Sequence, residues 1–493
     1  MSETLVVGIV ADTSNPGAAA RLLRDLGQLV AADGGFSRVE VVVLENPSSQ
    51  PDPGAARELS VADLDIVHVG RASQERDAAR GWFGRVEMLP GRLPIATART
   101  IVQRHAFERA AGERASVWIL DEDLRLLPLL EAMARGEPPL SERLRCLRKE
   151  RVDVAIGPVL GAPPLPARST ARVNLEDVRR HLDMLAALDP HAPWPDRAAE
   201  NARVRRAFPE YYYDLSRAHV DAGAHPMWLE PASAGETVRS AFARLAAGVS
   251  GLLDGTPITR AIPESPALAA GSSLLVRGGN TLILRPSLLA EIPNLALRLG
   301  GRTSRRSDML WARLAKTLQG ARFARASITA LQDRSGPGRS SFDPEKLLDD
   351  VRGSALVAAL DTLIEQGALA RGRSIPRELV ERASTIYVAR VGERLEAVHR
   401  SEARARSLLQ QMESTAAARD GRSGFLRHPA HAEAVEQLIE NARRLLAAYE
   451  GSIEPCDPSA EQLDVERFFL GLADEIDAYR KASIPSFQPA RSG

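Results

Sequence analysis

The residues best suited to chemistry fall in one stretch, Ala115-Ser-Val-Trp-Ile-Leu-Asp-Glu-Asp-Leu124. Val117 to Leu120 form an apolar run with no polar alternation, as a strand buried on both faces requires, and two carboxylates one residue apart follow at its carboxyl end. Open α/β sheets place ligands at that end. In an extended chain Asp121 and Asp123 point to one side and Glu122 to the other. Two adjacent hard oxygen donors repel unless a cation lies between them. A magnesium or manganese ion shared with phosphate oxygens answers that need. The same acids would equally complement the dipole of a helix beginning after them.

Four other groups of residues could share such a site. Arg99, with Arg104, lies near the start of a helix expected from about Thr100 to Ala111, where free backbone N–H groups also favour anions. Arg277-Gly278-Gly279-Asn280 separates two apolar runs, and its glycines permit positive φ or the close approach of a backbone or ligand, as they would in an ordinary hairpin. Asp308 sits in a polar loop before a helix expected from Met309 to about Leu318, a place for an N-cap as well as for a working carboxylate. Aromatics make up 4% of the chain, so Tyr211-Tyr-Tyr-Asp214 and His225-Pro-Met-Trp228 are a local concentration that suits a lined cleft or a small aromatic core.

The elements that must position these residues alternate. Leu5–Val10, Val39–Leu44, Asp65–Val69, the Val117 run and Val152–Val159 read as strands, with helical spacing from Ala18 to Ala31 and from Thr100 to Ala111 between them. Strands joined through helices imply an α/β fold with a mostly parallel, right-handed sheet. After Asp333-Arg-Ser-Gly-Pro-Gly-Arg339, a linker by composition, strand signals fade. Long amphipathic helices are expected at Leu347–Leu369, Pro376–Met412, His431–Tyr449 and Ala460–Tyr479. The expected organisation is an α/β domain over 1–338, an all-α helical bundle or hairpin over 340–482 and a disordered tail over 483–493. The long helices are also candidates for homodimerisation.

Composition narrows the class. Lys plus Arg and Asp plus Glu each number 64, which gives the chain no electrostatic reason to wrap a nucleic acid. Cys146 and Cys456 are too few for a zinc cluster or a disulfide scaffold. The N-terminus lacks a signal-peptide pattern, and no run approaches the ~20 apolar residues of a membrane span. A cytoplasmic protein is expected, with peripheral membrane contact left open.

Taken in order, the stretches from about residue 5 to 335 resemble the GT-A nucleotide-sugar glycosyltransferases of family 2 type. Val6-Val-Gly-Ile-Val10 and Val41-Val-Val-Leu-Glu-Asn46 match as first and second strands, Ala96-Thr-Ala-Arg99 as the segment before the next helix, and Trp118-Ile-Leu-Asp-Glu-Asp123 as the DXD motif. Arg277-Gly-Gly-Asn280 resembles the loop beside the acceptor-side strand, and Arg305-Arg-Ser-Asp308 stands where the family carries its catalytic acid residue. The resemblance implies a metal-dependent transfer of sugar from a nucleotide-diphosphate donor to an acceptor hydroxyl, with inversion. Asp121 and Asp123 would hold Mn²⁺ or Mg²⁺. Asp12, Asn46, Arg99, Asp121, Arg277, Gly278, Gly279 and Asn280 would contact the donor, and Asp308 would be the base. The acceptor could be a carbohydrate, a lipid head group or a small metabolite.

Two departures stand out. The helices between Asn174 and Gly248 are longer than in compact members, and the usual acidic pair near the base is here Ser307-Asp308. A nucleotidyltransferase is the alternative enzyme, although Asp12-Thr-Ser-Asn-Pro-Gly17 lacks the Lys or Arg of its phosphate loop. A non-catalytic transferase-like scaffold with a helical partner-binding module is the other alternative.

Overall fold

The computed structural model describes residues 3–61, 64–86, 88–110, 114–161, 168–196, 199, 233–247, 279–333, 344–417, 429–449 and 457–482. The first part runs β1 (Glu3–Ala11), α1 (Gly17–Asp33), β2 (Phe36–Glu45), α2 (Ala55–Glu58), β3 (Asp65–Val69), α3 (Arg71–Ala79), α4 (Ile95–Ala110) and β4 (Ala115–Asp121). Then come β5 (Leu124–Arg125), α5 (Leu127–Ala134), α6 (Leu140–Lys149), β6 (Val154–Ile156), β7 (Val159–Gly161), α7 (Arg168–Ala187) and α8 (Val238–Ala247). Next are β8 (Asn280–Ile283), α9 (Leu288–Glu291), β9 (Arg298–Leu299), β10 (Arg302–Thr303), α10 (Ser307–Gln319), β11 (Phe323–Arg325) and β12 (Ala330–Gln332). Four helices close the described chain: α11 (Pro344–Glu365), α12 (Arg377–Ala417), α13 (Pro429–Tyr449) and α14 (Gln462–Lys481).

The central sheet has the strand order β11-β6-β8-β4-β1-β2-β3. β3, β2, β1 and β4 are parallel, β8 runs antiparallel between β4 and β6, and β11 pairs parallel with β6. The α/β class and the mostly parallel sheet therefore stand as expected. A small second sheet, β5-β12-β7, flanks the end of β4.

Alternation along the strands explains the layering. Val6, Val42, Leu44, Val117 and Ile119 face one side, and Val7, Ile9, Val41, Val43 and Trp118 the other. Both faces are apolar, so both need a helical cover. α1, α5 and α6 cover the second face with Leu22, Leu26, Leu129 and Leu144. α1 stops at Gly34, whose left-handed φ of 61° lets its N–H reach the Val30 carbonyl.

The first face is covered by α4, α9 and α10, and also by helices from the end of the chain. Leu347, Val351 and Leu356 of α11, Val380, Tyr387 and Val391 of α12, and Phe469, Leu472 and Ile476 of α14 belong to the same core as Val6 and Val117. The far half of the 41-residue α12 packs elsewhere, joining α7, α8 and α13 through Leu175, Leu182, Phe242, Leu408, Met412 and Leu438. Packing thus groups the chain differently from the boundary expected near 338–340. Part of the C-terminal helical region is the sheet's own third layer, and α7 and α8 leave the sheet for the remaining helices. The tail at 483–493 lies outside the described residues. Among the described residues no helix is long and apolar enough to cross a membrane.

Candidate functional site

β1 leads through α1 to β2 on one side, whereas β4 lies on the other, so the topological switch falls between β1 and β4. A crevice opens outside the carboxyl ends of strands at such a point. Asp12, just beyond β1, and Asp121, the last residue of β4, stand at that switch point. Glu122 ties the two strand ends together: its Oε2 accepts the backbone N–H of Asp12 at 2.7 Å.

Arg99 is the centre of the cluster. It lies on the first turns of α4, its side chain is 12% exposed, and its Nη2 donates to Asp121 Oδ1 at 2.6 Å. Its Nη1 stands 3.7 Å from Asp308 Oδ2. Two acids separated by 187 residues in sequence (308 − 121) therefore share one guanidinium. Asp308 is equally sheltered, at 13% exposure, whereas Asp121 is 35% exposed.

Gly279 and Asn280 support this arrangement from the adjoining strand. The Asp121 N–H donates to the Gly279 carbonyl at 2.9 Å. A Cβ on Gly279 would stand 2.1 Å from Asp121 Oδ2, so the carboxylate occupies space that any other residue would fill. Asn280 is fully buried. Its Oδ1 accepts the Trp118 indole N–H at 2.7 Å, and its Nδ2 donates to the Ile328 carbonyl at 2.7 Å. Asn280 thus fixes β4 and the 328 loop relative to β8, acting on the site through Trp118 and its own backbone. Arg277, Gly278 and the aromatic stretch Tyr211–Trp228 lie outside the described residues.

Asp123 does not follow the alternation expected of it. Glu122 and Asp123 form the turn between β4 and β5, so the period of two ends at Asp121. Gln332 Nε2 donates to Asp123 Oδ2 at 2.9 Å, and the Asp333 N–H donates to the Asp123 carbonyl at 2.8 Å, anchoring the turn to β12. Asn46 is also held structurally. Its Nδ2 donates to the Leu93 carbonyl at 3.0 Å and its Oδ1 accepts the Leu93 N–H at 2.7 Å, which clamps the approach to α4. Asp12 Oδ1 accepts the backbone N–H groups of Ser14 at 3.1 Å and Ser48 at 3.0 Å, and Arg92 lies 3.8 Å from its other oxygen. Burial raises the Asp12 pKa, but the Ser14 and Ser48 hydrogen bonds and Arg92 outweigh it, so the group sits below its usual value.

Among the described residues no three His, Cys, Asp or Glu side chains gather as a cation cage. Magnesium and manganese at diphosphate sites commonly take only one or two protein carboxylates and complete their shell with phosphate and water. Asp121, last in β4 and 35% exposed, suits that donor set, whereas Asp123 lies within the β4–β5 turn with its Oδ2 bonded to Gln332.

Asp308 lies in the first turn of α10 without capping it. The cap is Arg306, in the left-handed region at φ 64° and ψ 28°, and its side chain offers no oxygen to the helix. The Asp308 carboxylate is therefore directed to Arg99, while Ser307 beside it is buried.

Spacing alone could not reveal the Arg99 bridge, because nothing local relates residues 99, 121 and 308. Glu122 was legible only as the odd member of an acidic triplet. Compared with known proteins, the chain matches no protein-family model and no curated protein, so its chemistry is read from its own residues.

Proposed function

We propose that the chain is a metal-dependent glycosyltransferase of the GT-A type, moving a sugar from a nucleoside-diphosphate donor to an acceptor hydroxyl with inversion. The observation that carries the reading is the Arg99 bridge between Asp121 and Asp308, at the switch point of a mostly parallel sheet. One guanidinium beside an accessible carboxylate and a sheltered one supports the roles of diphosphate contact, metal ligand and base.

The chemistry divides among these residues. A divalent cation held by Asp121 and Asp123 would neutralise charge on the departing diphosphate. Arg99 contributes a fixed positive charge at the amino end of α4, where backbone N–H groups add to it. In the transfer the acceptor oxygen bonds to the anomeric carbon as the bond to the β-phosphate oxygen breaks, and that oxygen keeps the electron pair. Asp308 takes the acceptor's hydroxyl proton. Attack from the face opposite the leaving group gives inversion. Asp12 and Asn46 shape the donor side by holding the 46–48 and 93 segments in place.

Calorimetry with uridine and guanosine diphosphates, with and without manganese, should show metal-dependent binding of one of them. A panel of nucleotide sugars should then release that diphosphate. Asp308→Asn should keep diphosphate affinity and lose about 10²–10⁴-fold in turnover, the range of a positioned base. Absence of any metal-dependent nucleotide binding would favour the scaffold alternative, and full activity in the Asn variant would remove Asp308 from the mechanism.

A further inference from the structure

The segment that delivers Asp308 is held from behind by α11. Arg302 donates from Nε and Nη2 to the two carboxylate oxygens of Asp349, at 3.2 and 2.7 Å, and also pairs with Glu345. The Arg305 N–H donates to the Asp349 carbonyl at 2.9 Å. A Cβ on Gly353 would lie 2.2 Å from the Arg305 carbonyl oxygen, so glycine is what lets the two backbones meet. Arg306 donates from Nε and Nη2 to both oxygens of Asp350, at 3.2 and 2.9 Å, and Arg305 Nε lies 3.7 Å from the same carboxylate. The Arg306–Asp350 pair is withdrawn from solvent, with side chains 6% and 1% exposed.

Arg306 is also the left-handed cap of α10. A residue with a Cβ is strained in that region and stays there only when its surroundings hold it. Its carbonyl accepts the N–H groups of Met309 at 3.0 Å and Leu310 at 3.3 Å, so its conformation decides where the first turn begins and where Asp308 points.

Resting on the transferase reading for what Asp308 does, we infer that Asp350 is a positioning residue. It holds Arg306 in the left-handed turn that aims Asp308 at Arg99, and this gives the C-terminal helices a part in catalysis. A buried, bidentate, charge-assisted pair supplies direction as well as attraction, which a strained turn needs.

The test uses three forms of the full chain: wild type, Asp350→Asn, and Arg306→Gly combined with Asp350→Asn. Glycine adopts the left-handed turn unaided, and the double variant leaves no unpaired buried charge. In Asp350→Asn the Met309 and Leu310 amides should exchange at least about tenfold faster, kcat should fall about 10–100-fold, and affinity for whichever of uridine and guanosine diphosphate the wild type binds with manganese should not move. The double variant should recover slow exchange and most of kcat. Wild-type exchange and kcat in Asp350→Asn, or a double variant as impaired as the single one, would overturn the inference. If Asp350→Asn fails to fold, the folded double variant decides alone: a loss within about tenfold supports the clamp, and a loss beyond about 100-fold overturns it. If the wild type transfers no sugar, the exchange measurement still decides the clamp, and only the transferase reading falls.

Discussion

Gly279 stands where a side chain would collide with Asp121. The nearest contact for an added Cβ is the carboxylate oxygen at 2.1 Å, followed by Cγ at 2.6 Å, both movable parts of a side chain. Gly279→Ala should therefore spare the fold and displace the Asp121 carboxylate from Arg99. Manganese-dependent diphosphate affinity should drop by about tenfold or more, with the melting temperature within a few degrees of wild type, because a displacement of about 1 Å is costly for positioning and cheap for packing. Unchanged affinity would show that Asp121 works from another rotamer. His105 gives a prediction of a different kind. It is half-buried on α4, its side chain 12% exposed, with its ring edge-on to Trp82 at 4.7 Å and its Nε2 3.8 Å from Asp77. Burial, opposed by Asp77 and reinforced by Arg109, lowers its pKa from 6.5 to about 4. The folded state keeps this ring neutral where the unfolded chain would protonate it. Its contribution to stability is complete above pH 6.5 and is lost as the pH falls through about 4. The loss amounts to about 3 kcal/mol at roughly 1.4 kcal/mol per pKa unit. Denaturant unfolding of His105→Phe between pH 7 and pH 4 should show a correspondingly flatter profile; a slope equal to wild type would assign the acid sensitivity to other groups.

At the scale of elements, α14 shows how a helix far along the chain becomes part of the sheet's cover. Tyr479 is buried near its end, donates its hydroxyl to the Leu289 carbonyl at 2.7 Å, and accepts Arg104 Nη2 on its own carbonyl at 2.7 Å. The Arg104 guanidinium lies 4.0 Å from the centre of its ring. Gly84, at φ 69°, packs on the Tyr479 backbone, where an added Cβ would meet Cα at 2.8 Å and N at 2.9 Å. Backbone cannot swing aside as a carboxylate can. Gly84→Ala combines a left-handed penalty with overpacking and should cost roughly 2–5 kcal/mol, seen as a lower denaturation midpoint with unchanged slope. A midpoint equal to wild type would show that α14 is loosely seated. Legibility follows the same division between local and distant. β1, β2 and β4 were readable because each carries an apolar run buried on both faces, edge strand β3 because Ile66, Val67 and Val69 are β-branched although only Val69 is buried, and α12 and α13 because their apolar residues recur at helical spacing. The Asp121–Asp123 alternation failed because a turn begins directly after β4, and the apolar run carries no mark of where extension ends. Asn46 looked like a ligand contact because its partner, Leu93, is 47 residues away and pairs through its backbone. Arg99 was legible as an anion-binding candidate, but its bridging role needed the fold.

At the scale of the whole molecule, the question is whether the helices after residue 344 form a separable module. A module would bury its apolar face within itself, whereas here Leu347, Val351, Leu356, Phe469, Leu472 and Ile476 share a core with Val6, Val42 and Val117. Burying six such side chains is worth on the order of 10 kcal/mol, an upper estimate comparable with the whole stability of a domain. Polar ties cross the same boundary: Arg306 with Asp350, Arg302 with Asp349, Arg104 with Tyr479 and Arg480 with Glu291. Removing α11 to α14 would leave Arg306 without its carboxylate and expose one apolar face of the sheet. A chain cut after Gly338 should therefore aggregate or lose fixed tertiary packing, read as loss of near-ultraviolet circular dichroism, and should bind no diphosphate in manganese. Supplying 340–493 as a second chain should restore part of both signals if docking is what is missing. A truncated chain that stays monomeric and melts cooperatively within about 5 °C of the full protein would show that the sheet is stable without its third layer. The helices would then act on the site only through the Arg306 turn.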